Sequence, residues 1–235
     1  MGHDSILPEG YRALVIGAGG AIGRAFYDQI LEDPACASVI TLTRSTFPRF
    51  DLEAPWVFPD VVAQISSEGP FDLVVDATGI LVVEGQGPEK SLRSLDSGLL
   101  TRYFSINAMG PILLLKALEP HLQAKKACYA KLSARVGSIS DNRLGGWYGY
   151  RASKAALNMM LQTAAIELQR TRPLMRVLAL QPGTVRSKLS APFTHQGHEV
   201  LDAATSVRGL MNVLRTSPEV PGALFVDYQG CPIPW

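Results

Sequence analysis

The sequence predicts an α/β protein, a parallel sheet with helices on both faces. Three observations carry this. Short apolar runs alternate with segments of helical periodicity along most of the chain, as strands buried on both faces and their covering helices do. An apolar run at residues 12–16 leads directly into a glycine cluster and then into a helical pattern. No tandem repeat, low-complexity tract or obvious linker divides the 235 residues, a length that suits one α/β unit with a sizeable core.

The elements follow in order. Residues 12–16 (RALVI) read as a first strand, and residues 21–32 carry Ile22, Phe26, Ile30 and Leu31 at helical spacing. Residues 38–43 (SVITLT) read as a second strand, and residues 60–67 as a short helix. Residues 71–76 (FDLVVD) form a buried strand ended by Thr78-Gly79. Residues 95–121 are helical, with a break near Gly110-Pro111 because proline removes a donor and crowds the preceding turn. A strand at 127–133, a helix at 151–170, a strand at 175–181 ending at Pro182-Gly183, a helix at 200–215 and a strand at 223–227 complete the series. The irregular stretches are 47–59 and 184–199, the second following a strand end, where open α/β sheets bind ligands.

Composition narrows the function classes. There are 22 basic and 21 acidic side chains, a net charge of +1, and 47% hydrophobic residues. A disordered chain is excluded, and so is strong general attraction to nucleic acid or an anionic membrane. Three scattered cysteines, Cys36, Cys128 and Cys231, form no C-x-x-C pair and suggest neither disulfides nor a thiolate zinc site. His195 and His198 have no evident further ligand, so no metal site is expected. The N-terminus lacks a signal-peptide pattern, Ile6 stands where a myristoylation motif needs Ser or Thr, and no run approaches a membrane span. A cytoplasmic protein is the expectation.

The segment Gly17, Ala18, Gly19, Gly20, Ala21, Ile22, Gly23 sits between strand and helix, the context in which a glycine motif binds a dinucleotide. Glycines admit close approach of phosphate oxygens, and the helix start offers free N–H groups and a partial positive charge. An acid at the end of the second strand would bind the ribose 2′-hydroxyl of NAD. Here Arg44 and Ser45 follow Thr43. A guanidinium attracts a 2′-phosphate and bonds it bidentately. Such charged bonds, about 1.5–3 kcal/mol, favour NADP(H) over NAD(H) by roughly tenfold to a hundredfold. Asp51, beside Leu52, is a weaker candidate for the adenine amino group.

Tyr150 precedes Lys154 by four residues, which on a helix puts both on one face. A phenol of pKa about 10 is a poor acid–base group at neutral pH. An ammonium at ~4 Å and an effective dielectric of ~20 contributes about 4 kcal/mol, roughly three pKa units. The phenol then works near neutral pH and protonates the oxygen of a carbonyl receiving hydride. Tyr148 has Ala152 at the fourth position and is read as pocket lining or core.

These motifs stand in the order and spacing of the short-chain dehydrogenase/reductase family, which the chain resembles from about Ala13 to Trp235. Within that family it resembles the C-factor-like branch and sniffer-type carbonyl reductases. The likeness is carried by I-N-A-M-G-P at 106–111, L-S-A-R-V-G-S-I at 132–139, G-G-W-Y-G-Y-R-A-S-K-A-A-L-N at 145–158 and D-Y-Q-G-C-P-I-P-W at the end. It implies a single Rossmann-type domain over residues 1–235, a doubly wound parallel sheet of about seven strands. It implies Tyr150 as proton donor or acceptor, Lys154 lowering its pKa and holding the nicotinamide ribose, and Asn107 holding a water that links Lys154 to solvent. Pro182, Gly183 and Val185 would meet the nicotinamide, with Ser187 near the phosphates. Helices 95–121 and 151–170 would pair across a two-fold axis in a homodimer or homotetramer.

The sequence departs from the family pattern at three places. Ala21 stands for a glycine. D-A-T-G (Asp76, Ala77, Thr78, Gly79) stands for N-N-A-G, so cofactor contact there rests on backbone. The family's catalytic serine aligns with Ala134, which leaves Ser133 and Ser138 as equal hydroxyl candidates. The expected function is NADP-dependent transfer of hydride between NADPH and a small carbonyl or alcohol. A non-catalytic NADP-binding regulator on the same fold is the alternative, and an epimerase or dehydratase relative is weaker because only about 50 residues follow Pro182-Gly183.

Overall fold

The computed structural model describes residues 7–186 and 200–235. Six strands form one sheet in the order β2-β1-β3-β4-β5-β6, and every neighbouring pair is parallel. They are β1 (Tyr11–Ile16), β2 (Cys36–Leu42), β3 (Leu73–Asp76), β4 (Cys128–Leu132), β5 (Arg176–Gln181) and β6 (Leu224–Asp227). β3 and β4 are buried at every position, as strands covered on both faces must be.

Two apolar layers enclose the sheet. On one face α1 (Ala21–Leu31) and α6 (Ala203–Thr216) pack Phe26, Ile30, Val207 and Leu210 against Val15, Val75 and Leu178. On the other, α2 (Phe58–Ile65), α4 (Gly110–Leu118) and α5 (Tyr148–Thr171) pack Val61, Leu114 and Leu157 against Leu14, Val74 and Val177. Sequence alternation assigns each strand residue to a layer: Tyr129 joins the α5 side and Ala130 the α1 side.

The six strands are the six that the apolar runs predict, one fewer than the family likeness implied. After β2 the chain carries Pro48 and Pro55. It turns back through a 3-10 turn at Pro55–Val57 into α2, so β2 remains an edge strand with mostly half-buried positions. At the opposite edge the C-terminal segment folds over β6. Ile233 N–H bonds Phe225 O at 2.8 Å, and the rings of Phe225 and Trp235 lie 5.3 Å apart.

The long helical region expected at 95–121 is four pieces, the last a 3-10 turn at Glu119–His121. α3 (Ser97–Phe104), capped by Asp96, runs into a π-helical turn, Ser105–Met109, and then into α4. The break therefore falls one turn before Gly110-Pro111. Pro111 fits the first turn of α4, where its missing donor is harmless. α5 begins at Tyr148, three residues earlier than its periodicity suggests, because Trp147 takes a left-handed conformation (φ 53°) at its start.

The chain leaves β1 for β2 on one side and returns to β3 on the other. Open sheets bind ligands in the crevice at such a reversal, beyond the strand C-termini. The glycine turn after β1 and the segment after β3 both end there, joined by Ala77 N–H bonding Ile16 O at 2.9 Å.

Candidate active site

The glycine turn is built for close approach. Gly23 lies so near the turn that a Cβ would stand 2.3 Å from Gly17 O, whereas a Cβ on Gly19 would meet nothing within 4 Å. Gly20 is the N-cap of α1 with no side-chain cap bond, so the N–H groups of Ala21 and Ile22 face a start left open to an anion. The register pairs Ile16 with Leu42, and Gly17 N–H bonds Leu42 O. Arg44 follows two residues later in a hydroxyl-bonded turn of Thr43, Ser45 and Thr46. It is exposed and makes no ion pair with any described residue. Asp51 is also exposed, but its Oδ1 accepts the Glu53 N–H, and Leu52 packs on the core.

After β3, Ala77 packs into the α1 layer, and Thr78 is tied to Asp76 and Lys131. Gly79 crosses the crevice so closely that a Cβ would lie 3.2 Å from Asn107 Oδ1 and 3.5 Å from Lys154 Nζ. Asn107 itself comes from the π turn. Its Oδ1 accepts the Ile80 N–H at 2.8 Å, and its Nδ2 donates to Ile80 O and to Ser153 Oγ. π turns interrupt helices at functional sites by re-aiming one residue.

Tyr150 and Lys154 share one buried face of α5. Lys154 Nζ lies 5.8 Å from the Tyr150 ring centroid and donates to Leu132 O at 3.1 Å. Burial pushes the Lys154 ammonium down to about 7, helped by the charge of Lys131 and opposed by Asp76. Burial likewise pushes the Tyr150 phenol up, with Tyr103 adding to it. In the chain by itself the ammonium does not offset that rise, because Nζ is turned to a backbone carbonyl. No described side chain bonds the Tyr150 hydroxyl.

An apolar shell surrounds the phenol. Leu81, Val83, Leu99 and Tyr103 cluster with Tyr150, and Ala134, Val136 and Trp147 pack against them. The rings of Tyr103 and Trp147 each meet Tyr150 edge-on with centroids 6.1 Å away. Neither candidate serine joins this cluster. Ser133 donates to Asn158 Oδ1 at 2.6 Å. Ser138 accepts the Asp141 N–H and lines a groove of about 280 Å³ that Tyr150 does not line. Beyond β5, Pro182 O accepts the Ser206 hydroxyl, Gly183 has φ 76°, and Val185 bridges Leu201. Ser187, Phe193, His195 and His198 lie outside the described residues.

The model of the family described as short chain dehydrogenase matches residues 11–197. The chain belongs to that family. It is 36% identical over 169 residues to C-signal of Myxococcus xanthus, covering 71% of this chain and 94% of the relative. It is 30% identical over 190 residues to 1-hydroxy-2-glutathionyl-2-methyl-3-butene dehydrogenase of Rhodococcus sp. (strain AD45), covering 80% and 79%. The fold is shared with NADPH-bound carbonyl reductase from chicken fatty liver (TM-score 0.84, 22% identity, 99% and 97% coverage). It is shared as well with carbonyl reductase Sniffer of D. melanogaster (TM-score 0.80, 22% identity, 96% and 99%).

Two residues of this short-chain dehydrogenase escaped the sequence reading. Ser153 is fully buried between Asn107 and Tyr150, accepting from Asn107 Nδ2 and donating to Tyr150 O. Its place next to Lys154 was the available signal. Glu89, 4% exposed, caps α5: its Oε2 accepts the Gly149 N–H at 3.1 Å and its backbone O accepts the Trp147 N–H. Nothing local marks a carboxylate 60 residues upstream as a helix cap. A carboxylate at a helix N-terminus satisfies an orphan donor and complements the dipole. Glu89→Ala is expected to destabilise the fold by about 1–2 kcal/mol, and Glu89→Gln, which keeps an acceptor, by less. Urea unfolding at neutral pH measures both.

Proposed function

We propose that this chain is an NADP-dependent carbonyl reductase, running in either direction between a small carbonyl and its alcohol. The observation that carries the proposal is the meeting of Tyr150, Lys154 and Asn107 with the glycine turn in one crevice at the sheet's reversal point. The residues fit the cofactor. The open space at Gly19, the uncapped start of α1 and the unpaired Arg44 suit a pyrophosphate and a 2′-phosphate. Gly17, Gly20, Ala21, Ile22 and Gly23 would frame the pyrophosphate, with Arg44 and Ser45 on the 2′-phosphate. Asp51 and Leu52 would lie by the adenine, and Ala77, Thr78 and Gly79 beneath the riboses. Lys154 would bond the nicotinamide ribose, with Pro182, Gly183 and Val185 along the nicotinamide.

Bound NADPH supplies the hydride that reduces the carbonyl carbon. Tyr150 gives its phenolic proton to the carbonyl oxygen as negative charge develops there, leaving an alcohol and a phenolate. Lys154, charged beside an anionic cofactor, stabilises that phenolate, and Asn107 holds the route by which a proton returns. The wall of Leu81, Val83, Ala134, Val136 and Trp147 suits an apolar carbonyl substrate. Carbonyl reductases among the structural neighbours support the same chemistry. Exposed Met159 and Ile166 on α5 support pairing with a second copy.

A second reading, a catalytically weak NADP-binding regulator, draws on one observation. Ala134 puts a methyl group where the family pattern has a serine, so Tyr150 would hold the substrate oxygen without that partner. Oxidation of NADPH in the presence of a panel of aldehydes, ketones and diketones separates the two. Turnover that falls by at least ~100-fold in Tyr150→Phe is the expected result, and tight NADPH binding with no turnover on any substrate favours the regulator. For the cofactor, Arg44→Ala is expected to weaken NADPH by roughly tenfold to a hundredfold and leave NADH nearly unchanged. Equal losses, measured by fluorescence titration, would remove the 2′-phosphate assignment.

A further inference from the structure

A lysine is almost never fully buried unless it is paired. Lys131 stands at 0% exposure in the central strand β4, and its register partner in β3, Asp76, is also at 0%. The ammonium donates to Asp76 Oδ1 at 2.9 Å, to Thr78 O at 2.6 Å and to Thr78 Oγ1 at 2.9 Å. Asp76 Oδ1 also accepts the Thr78 N–H and hydroxyl, and Oδ2 accepts the Tyr129 hydroxyl at 3.2 Å. Both charged groups are satisfied. Packing alone does not call for such a pair, since apolar residues of similar volume serve a sheet core at least as well.

The pair grips one piece of chain, the backbone leaving β3. The other side of that piece, at Gly79, faces Asn107 Oδ1 and Lys154 Nζ. A four-residue segment thus lies between two buried ammonium groups. Alternation along β4 puts Lys131 on the α5 side of the sheet with Tyr129, the side from which Lys154 enters. No carboxylate among the described residues bonds Lys154; its hydrogen-bond acceptor is Leu132 O.

We propose that Asp76 and Lys131 form a positioning pair that fixes the Thr78–Gly79 backbone and, across it, acts on Lys154. The proposal rests on the reading of Lys154 as part of the cofactor and proton machinery. The titratable groups around Lys154 are Tyr150 on its own helix, Lys131 and Tyr129 on β4, and Asp76 on β3. Tyr103 from α3 stands by Tyr150, and Glu89 stands at the start of α5. Of the charges in this set, Lys131 holds the Lys154 ammonium down more than Asp76 holds it up. The sign follows. Neutralising both members together raises the pH at which Lys154 loses its proton.

The test is a side-chain carbon NMR titration of protein labelled at the lysine ε-carbon, with the Lys154 signal identified by its loss in Lys154→Arg. The double variant Asp76→Asn/Lys131→Gln keeps hydrogen-bonding groups in place without a lone buried charge. Its Lys154 midpoint is expected to rise. A second variant, Asp76→Leu/Lys131→Met, replaces the pair with apolar residues of similar volume and is expected to move the midpoint the same way. Either variant that folds decides the matter, and an unmoved midpoint overturns the proposal. The pH profile of NADPH-dependent reduction follows the same direction if Lys154 acts in catalysis. A moved midpoint with an unmoved profile keeps the pair's hold on Lys154 and counts against the catalytic reading instead.

Discussion

The ammonium of Lys154 sits at the C-terminal edge of the sheet with almost no access to water, and the surrounding elements are arranged about it. Burying an unpaired charge is costly, and here no carboxylate among the described residues bonds to it. Leu132 offers a backbone carbonyl, Tyr150 a ring, and Gly79 passes so close that a Cβ there would touch Nζ at 3.5 Å. The consequence is an ammonium pushed down to about 7. Its charge near neutral pH therefore depends on what else enters the crevice. An anionic cofactor favours the charged form, and the charged form is the one that lowers the pKa of Tyr150. In the proposed mechanism, binding and proton transfer are coupled through this one buried group.

The parallel sheet makes this arrangement possible. All six strands point the same way, so every C-terminal loop opens on one edge. At the reversal between β1 and β3 the glycine turn and the Asp76–Gly79 segment lie side by side. α5 crosses from the same direction with Tyr150 and Lys154 on its inner face. The π turn of Ser105–Met109 places Asn107 against Ile80, and Glu89 closes the N-terminus of α5. Each feature breaks regular secondary structure or buries a polar group. Each fixes the position of a side chain that faces the crevice.

Much of the fold was legible because its strands are buried on both faces. RALVI, FDLVVD and MRVLALQ each hold a short apolar core of strand length, followed by turn signals. β4 was the faintest, since Lys131 interrupts ACYAKLS. Its partner Asp76 stands 55 residues away, and pairing across strands leaves no local period. The Tyr150–Lys154 spacing and the strand–glycine–helix context marked the site because both are short-range geometry. The apolar runs gave the six strands of the described residues, and the count of about seven came from the family likeness alone. The break in the long helix was placed at Pro111, the visible breaker, whereas a π turn carries no residue signature. The serine question turned on Asn158, 25 residues from Ser133, which claims that hydroxyl in the folded chain.

In the proposed function, Lys154's control of the Tyr150 proton is the link that joins fold to chemistry. It is measured most directly by ultraviolet difference titration of tyrosine ionisation in the NADP-saturated protein, wild type against Lys154→Met. One tyrosine ionising well below the others in the wild type, and lost from that range in the variant, is the result expected. Identical titration curves for the two proteins would contradict it.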